Sequence, residues 1–199
     1  MRQIIDCIQG SEEWYQARIG RVTSSCFDKV LNKKTGRGLY MRKVAAEWIS
    51  NEKEDSYTNA AMEKGKEREA LARAAYETER NCKVDQVGLI ILDNWIGCSP
   101  DGLVGDDGLI EIKCPFGSTH IQYIEDDKLP SEYVPQIQGQ LWVTDRKWCD
   151  FISYHPAFNI KSLFIKRVDR DEKYIENLKK EVDKFVDELQ NMIAKLQGE

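Results

Sequence analysis

A chain of 199 residues with 41% hydrophobic and 32% charged residues has the composition of an ordinary globular protein. It is long enough to hide roughly 70% of the surface its unfolded form exposes. No run approaches the ~20 apolar residues that cross a bilayer, and the net charge of −5 argues against a body coated in positive potential for holding nucleic acid.

In chain order, Arg2–Ile8 predicts a short strand. Ser11 followed by Glu12 and Glu13 predicts a helix with its N-cap and first-turn acids. A second short helix is expected near Thr23, with Phe27, Val30 and Leu31 on one face, then a basic glycine-containing loop over Asn32–Gly38. Two longer helices follow, Leu39–Asn51 and Thr58–Arg80. Gln86–Leu92 reads as a buried strand, continued after a turn by Trp95–Ser99. Leu103–Val104 and Leu109–Lys113 form the arms of a hairpin joined by Gly105-Asp106-Asp107-Gly108, a strong turn signal. Gly117–Asp127 and Glu132–Thr144 read as helices, and Cys149–Tyr154 and Ser162–Val168 as strands. A final amphipathic helix spaces Tyr174, Leu178, Val182, Phe185, Leu189, Met192 and Leu196 by three or four; its stripe is expected to pack on the same chain. With no repeat, linker or low-complexity tract, residues 1–199 read as a single domain, an α/β fold with a central mixed sheet flanked by helices.

Charge and cysteine usage refine this. Between Arg18 and Lys43 stand eight basic residues and one acid, Asp28, a strip suited to a polyanion held at one place. The six cysteines have at least fifteen residues between neighbours and no CxxC pair, so a zinc or iron–sulfur site has little support. Free, mostly buried thiols in a reducing cytoplasm are expected. The opening MRQIIDCIQG lacks the long apolar stretch of a secretory leader.

The informative segment is Ser99-Pro100-Asp101-Gly102 followed by Gly108-Leu109-Ile110-Glu111-Ile112-Lys113. Side chains alternate along a strand, so Glu111 and Lys113 share one face and Ile110 and Ile112 the other. Pairing the hairpin arms brings Asp101 near Glu111. Two carboxylates that close repel unless a cation sits between them, and hard oxygen ligands favour Mg²⁺ or Mn²⁺ over zinc. Beside them, the Lys113 ammonium can orient water and stabilise charge developing on a phosphodiester. The bare alternative is a surface Glu–Lys pair on a hairpin.

The chain resembles the phage lambda exonuclease family of viral recombination nucleases, within the restriction-endonuclease-like superfamily. The resemblance rests on Trp14-Tyr-Gln-Ala-Arg18-Ile-Gly20 with Thr23-Ser24-Ser25, on Met62-Glu-Lys-Gly65-Lys-Glu-Arg-Glu69, on the Ser99-Pro-Asp101-Gly and Glu111-Ile-Lys113-Cys-Pro-Phe116 core, and on Tyr133-Val-Pro-Gln136-Ile-Gln138. It implies a Mg²⁺-dependent exonuclease (Mn²⁺ a substitute, two ions per site) that digests linear double-stranded DNA 5′→3′ to mononucleotides. Asp101, Glu111, Glu69 and the Ile112 carbonyl would hold metal, Lys113 would support the attacking water, and Tyr133 and Gln136 would position water and phosphate. Arg18 and Ser25 match positions that grip a 5′-phosphate. The family's pattern has an arginine where this chain has Thr119, a departure for which His120 could substitute. Lys33, Lys34 and Arg37 would steer phosphates. Met62 is a wedge between the strands or plain core, and Trp14 and Trp142 read as core aromatics. The resemblance further implies a homotrimeric ring, a phage single-strand annealing protein as partner, and action in the bacterial or phage-infected cytoplasm. The competing readings are a structure- or site-specific endonuclease on the same fold and a catalytically silent DNA-end-binding protein.

Overall fold

A computed structural model describes residues 2–32, 34, 36–54 and 60–198, without the side chains of 60–66. The expectations for Lys33 and Met62 therefore lie outside the described residues.

The chain opens with β1 (Gln3–Ile5) and α1 (Glu12–Arg18). Helix α1 starts at Ser11, whose side chain accepts from the Trp14 amide at 3.3 Å, with Glu12 and Glu13 in its first turn. Next come β2 (Val22–Thr23), a 3₁₀ turn (Ser24–Cys26), α2 (Phe27–Leu31), α3 (Arg37–Ser50) and α4 (Ala60–Arg80). Strands β3 (Leu89–Ile91) and β4 (Ile96–Cys98) complete a first sheet of order β1-β3-β4-β2, in which β2 runs parallel to β4.

The second sheet has order β5-β6-β7-β8, with β5 (Gly102–Val104), β6 (Gly108–Lys113), β7 (Trp148–Tyr154) and β8 (Leu163–Asp169). Here β5–β6 and β7–β8 are antiparallel and β6–β7 parallel. Both sheets are mixed, so the expected central sheet is divided into two four-stranded ones. The turn between β5 and β6 places Gly105 at φ 52°, and Arg146 Nη1 reaches its carbonyl at 2.8 Å.

Helices α5 (Gly117–Asp126) and α6 (Val134–Thr144) pack on the sheets, and α7 (Glu172–Gln197) packs on helices. Strand alternation decides which side each sees. Ile110 and Ile112 point towards α4 and pack with Ala72 and Tyr76, whereas Leu109 belongs to the main core with Phe151, Ile137 and Leu141. Glu111 and Lys113, on the Leu109 face, are thereby aimed at α6. That helix touches both sheets and begins with Pro135 in its first turn, a favoured proline position. Most of the α7 stripe packs on its own chain as expected: Leu178, Val182, Phe185 and Leu189 are buried against α2, α3 and α6, Tyr174 and Met192 are partly buried, and Leu196 is exposed.

Helix α4 is fixed to the second sheet by a buried polar cluster. The Tyr76 hydroxyl donates to Asp150 Oδ2 at 2.8 Å, and Arg167 Nη2 donates to the same oxygen at 3.0 Å. A buried carboxylate requires such partners. All six cysteines are free, but only Cys98 and Cys149 are fully buried, so "mostly buried" is corrected to two of six. No helix among the described residues is long and apolar enough to cross a membrane.

Candidate active site

The hairpin brings Asp101 and Glu111 together. Gly102 pairs with Ile110, the Asp101 amide donates to the Ile110 carbonyl at 3.1 Å, and the Ile112 amide donates to Asp101 Oδ2 at 2.6 Å. Strand β5 covers β6 only as far as Ile110, so the Ile112 amide is left for the carboxylate.

Glu111 is 3% exposed and clamped by three donors. Lys113 Nζ lies 2.6 Å and Gln136 Nε2 2.7 Å from Oε1, while Gln140 Nε2 lies 2.7 Å from Oε2. Gln136 and Gln140 are one helical turn apart on α6 and so share a face. Lys113 also sits over the Tyr133 ring, 5.0 Å from its centroid, and that ring stacks on Phe151. Burial works against the Lys113 ammonium, but Glu111 and Asp101 beside it prevail and raise its pKa.

Asp101 is pushed well above the usual carboxylate range, first by burial, then by the charges of Glu111 and Glu69. Glu69 thus reaches the site from α4, and it lines a cavity of about 250 Å³ together with Asp101, Gln9 and Arg73. Arg73, one turn along α4 from Glu69, donates to the Asp101 carbonyl at 3.3 Å. Among the described residues no group of three His, Cys, Asp or Glu side chains is gathered tightly enough to hold a metal ion by itself. The donor chemistry nevertheless fits a hard cation: crowded carboxylates, with Asp101 pushed upward by burial and by its acidic neighbours.

A second centre adjoins the first through Ser99. Its hydroxyl accepts from Trp14 Nε1 at 2.9 Å and Arg18 Nη1 at 3.3 Å, two residues before Asp101. Arg18 Nη2 reaches Thr23 Oγ1 at 3.0 Å and Ser25 Oγ at 3.3 Å, and its guanidinium lies 4.3 Å over the Trp14 ring. Burial lowers the Arg18 pKa, and no carboxylate pairs with it among the described residues. The adjoining cavity of about 190 Å³ is lined by Arg18, Arg21, Lys43 and Lys53, with Glu47 its acid. Trp14, expected in the core, is instead a wall of this pocket; Trp142 is in the core, at 7% exposure.

The remaining expectations divide. Thr119 lies half-buried in the first turn of α5. His120 is fully buried, with Nδ1 at 2.7 Å from Ser153 Oγ and Nε2 at 2.9 Å from the Lys161 carbonyl. That corrects its expected place in the phosphate pocket, because neither ring nitrogen is left for a phosphate. Arg37 is bonded to Glu188 at 2.6 Å and lies over Phe185, and Lys34 is exposed. Sequence reasoning missed Gln140, Ser99 and Arg73. The i,i+4 spacing of Gln136 and Gln140, and of Glu69 and Arg73, was the signal available for two of them.

A family model described as the YqaJ-like viral recombinase domain matches residues 13–147. The chain is 42% identical to an alkaline exonuclease (LHK-Exo) from Laribacter hongkongensis, covering 94% of this chain and 96% of that one at a TM-score of 0.89. The same enzyme in complex with dAMP aligns at 0.88. A phage-related exonuclease from Haemophilus somnus shares the fold at 16% identity and a TM-score of 0.67, with 88% and 96% coverage. A protein of Acanthamoeba polyphaga mimivirus is 26% identical over 171 residues, 72% of this chain, which spans 28% of that protein's length. The chain belongs to the YqaJ-like viral recombinase family and has the restriction-endonuclease-like fold of the exonuclease it matches.

Proposed function

We propose that this member of the family is a Mg²⁺-dependent exonuclease, a single nuclease domain that digests linear double-stranded DNA 5′→3′ and releases mononucleotides. The observation that carries this reading is the Glu111 carboxylate, held by Lys113, Gln136 and Gln140 beside Asp101. The kinship with an alkaline exonuclease supports the reaction class.

Asp101, Glu111, Glu69 and the Ile112 carbonyl would hold Mg²⁺ or Mn²⁺, two ions per site as the family resemblance implies. A divalent ion there supplies Lewis acidity to the phosphoryl oxygens and charge for the departing oxygen. Lys113, kept as an ammonium by Glu111, donates to a phosphate oxygen or to the water and stabilises the developing negative charge. Tyr133 and Gln136 hold Lys113 and Glu111 in register. Water attacks phosphorus, the bond from phosphorus to the 3′-oxygen breaks, and the new strand end carries a 5′-phosphate.

That end group is what the Arg18, Ser25 and Ser99 cluster is suited to bind, since a half-buried guanidinium flanked by hydroxyls, with no carboxylate partner among the described residues, suits a phosphate. Each cleavage would then renew the handle by which the strand is held. Lys34 would guide the duplex, a homotrimeric ring would keep it engaged, and a phage single-strand annealing protein would receive the 3′ tail in the cytoplasm of the bacterial or phage-infected cell.

The test is a time course on linear duplex labelled separately at each 5′ and 3′ end, with Mg²⁺ or EDTA and a closed circle as control. Early Mg²⁺-dependent release of 5′-terminal nucleotides with the circle intact is expected. Cleavage of the circle would instead establish an endonuclease, and end binding without cleavage would sink the catalytic reading.

A further inference from the structure

Phe116 is 87% exposed, although a phenylalanine carries one of the larger apolar surfaces a protein can bury. Among the described residues its ring is in no aromatic or cation contact. Its backbone, by contrast, is fixed. Pro115 precedes it, its carbonyl accepts from the His120 amide at 3.0 Å, and it is the N-cap of α5. A large apolar ring is thus held out in water by a rigid mount.

Its surroundings say what would cover it. Only Cys114 and Pro115 separate Phe116 from Lys113, so their Cα atoms are no more than about 11 Å apart, the span of roughly three stacked nucleotides at about 3.4 Å each. Phenylalanine offers no side-chain oxygen to the first turn of α5, which has no side-chain cap, so that positive helix end is open to anions. Arg68, from α4, lies near enough to Cys114 and His155 for its charge to act on both. An exposed ring on an open helix end, with the Arg68 charge acting on Cys114 two residues before it, is the combination that binds single-stranded nucleic acid, bases on the ring and phosphates on the charges.

We propose that Phe116 is a stacking platform for an unpaired nucleobase of the strand being cleaved, within three nucleotides of the scissile phosphate. The inference rests on the nuclease reading above and adds a base-binding subsite to it.

The experiment uses the full chain in the non-cleaving Lys113→Ala background, mixed with duplexes carrying 2-aminopurine at one of the first four positions from the 5′ end. Position-specific fluorescence quenching is expected, abolished by Phe116→Ala and kept by Phe116→Trp. Phe116→Ala should weaken binding about five- to a hundredfold, and an abasic site at the quenched position should remove that difference. Light scattering and a thermal melt on Phe116→Ala check assembly and folding.

Quenching indifferent to Phe116→Ala, while the protein with Lys113 intact still digests duplex, would overturn the platform and leave the nuclease standing. A fall in mass with unchanged quenching would also overturn it, assigning the ring to contact with a second copy. Absence of both DNA binding and digestion would remove the nuclease reading and the platform together.

Discussion

The Ile112 amide donates to Asp101 Oδ2 at 2.6 Å, so one hydrogen bond both closes the end of the hairpin and aims the carboxylate. Glu111, on the residue before Ile112, faces the other way along β6 and is gripped from α6. The two carboxylates are therefore held by different parts of the fold, and changes to each have separable consequences.

Asp101 is a source of instability when no cation is present. Burial and the charges of Glu111 and Glu69 raise its pKa, so stability falls as the pH rises from the ordinary carboxylate range through the raised value. In EDTA at neutral pH, Asp101→Asn should melt at or above the wild-type temperature. Mg²⁺ should raise the melting temperature of the wild type and not of the variant. Differential scanning calorimetry with and without Mg²⁺ checks both signs.

Gln140 is fully buried and donates to Glu111 Oε2. Groups that orient metal ligands typically contribute about 10–100-fold in affinity or activity. Gln140→Leu should reduce Mn²⁺ affinity, measured by titration calorimetry, within that range while the far-ultraviolet circular dichroism stays unchanged. Equal affinity in the two proteins would leave Gln136 and Lys113 as sufficient.

The Tyr76–Asp150–Arg167 cluster ties α4, and with it Glu69, to the strands beside Glu111. Tyr76→Phe removes one bond to a charged group and should cost about 1.5–3 kcal/mol in a urea melt. Asp150→Ala leaves the Tyr76 hydroxyl and the half-exposed Arg167 guanidinium without their partner, so its cost should exceed that of Tyr76→Phe.

Arg18 should act on end choice more than on chemistry. Its fork is shared among Ser99, Thr23 and Ser25 without a carboxylate among the described residues. Arg18→Ala should remove any preference for 5′-phosphorylated over 5′-hydroxyl ends, a loss of about 10–100-fold in the ratio of initial rates. Retention of the preference would place the phosphate elsewhere.

The hairpin and its Asp101, Glu111 and Lys113 were legible because their signals are local: a four-residue turn and a period of two. What was not legible depends on tertiary packing. Gln140 lies on a helix buried on nearly all sides, where an isolated glutamine in sequence reads as surface. His120 follows Thr119 in sequence, yet the rotation of one helical residue turns its ring inward to Ser153. The basic strip from Arg18 to Lys43 read as a single patch, but the fold sends Arg18, Arg21 and Lys43 to one cavity and pairs Arg37 with Glu188 on α7. The division into two sheets follows from long-range pairing, in particular β2 beside β4, which two-residue strands do not announce.

The central claim is that the clamped Glu111 carboxylate, with Asp101, supports hydrolysis. The measurement that tests it most directly is the rate of Mg²⁺-dependent nucleotide release from linear duplex by Glu111→Gln, a change that keeps the side chain's shape and removes its charge. A fall of at least about a hundredfold at every Mg²⁺ concentration, in a protein that still melts cooperatively, is the predicted result. Activity within a few fold of wild type would contradict the account and place the chemistry outside this hairpin.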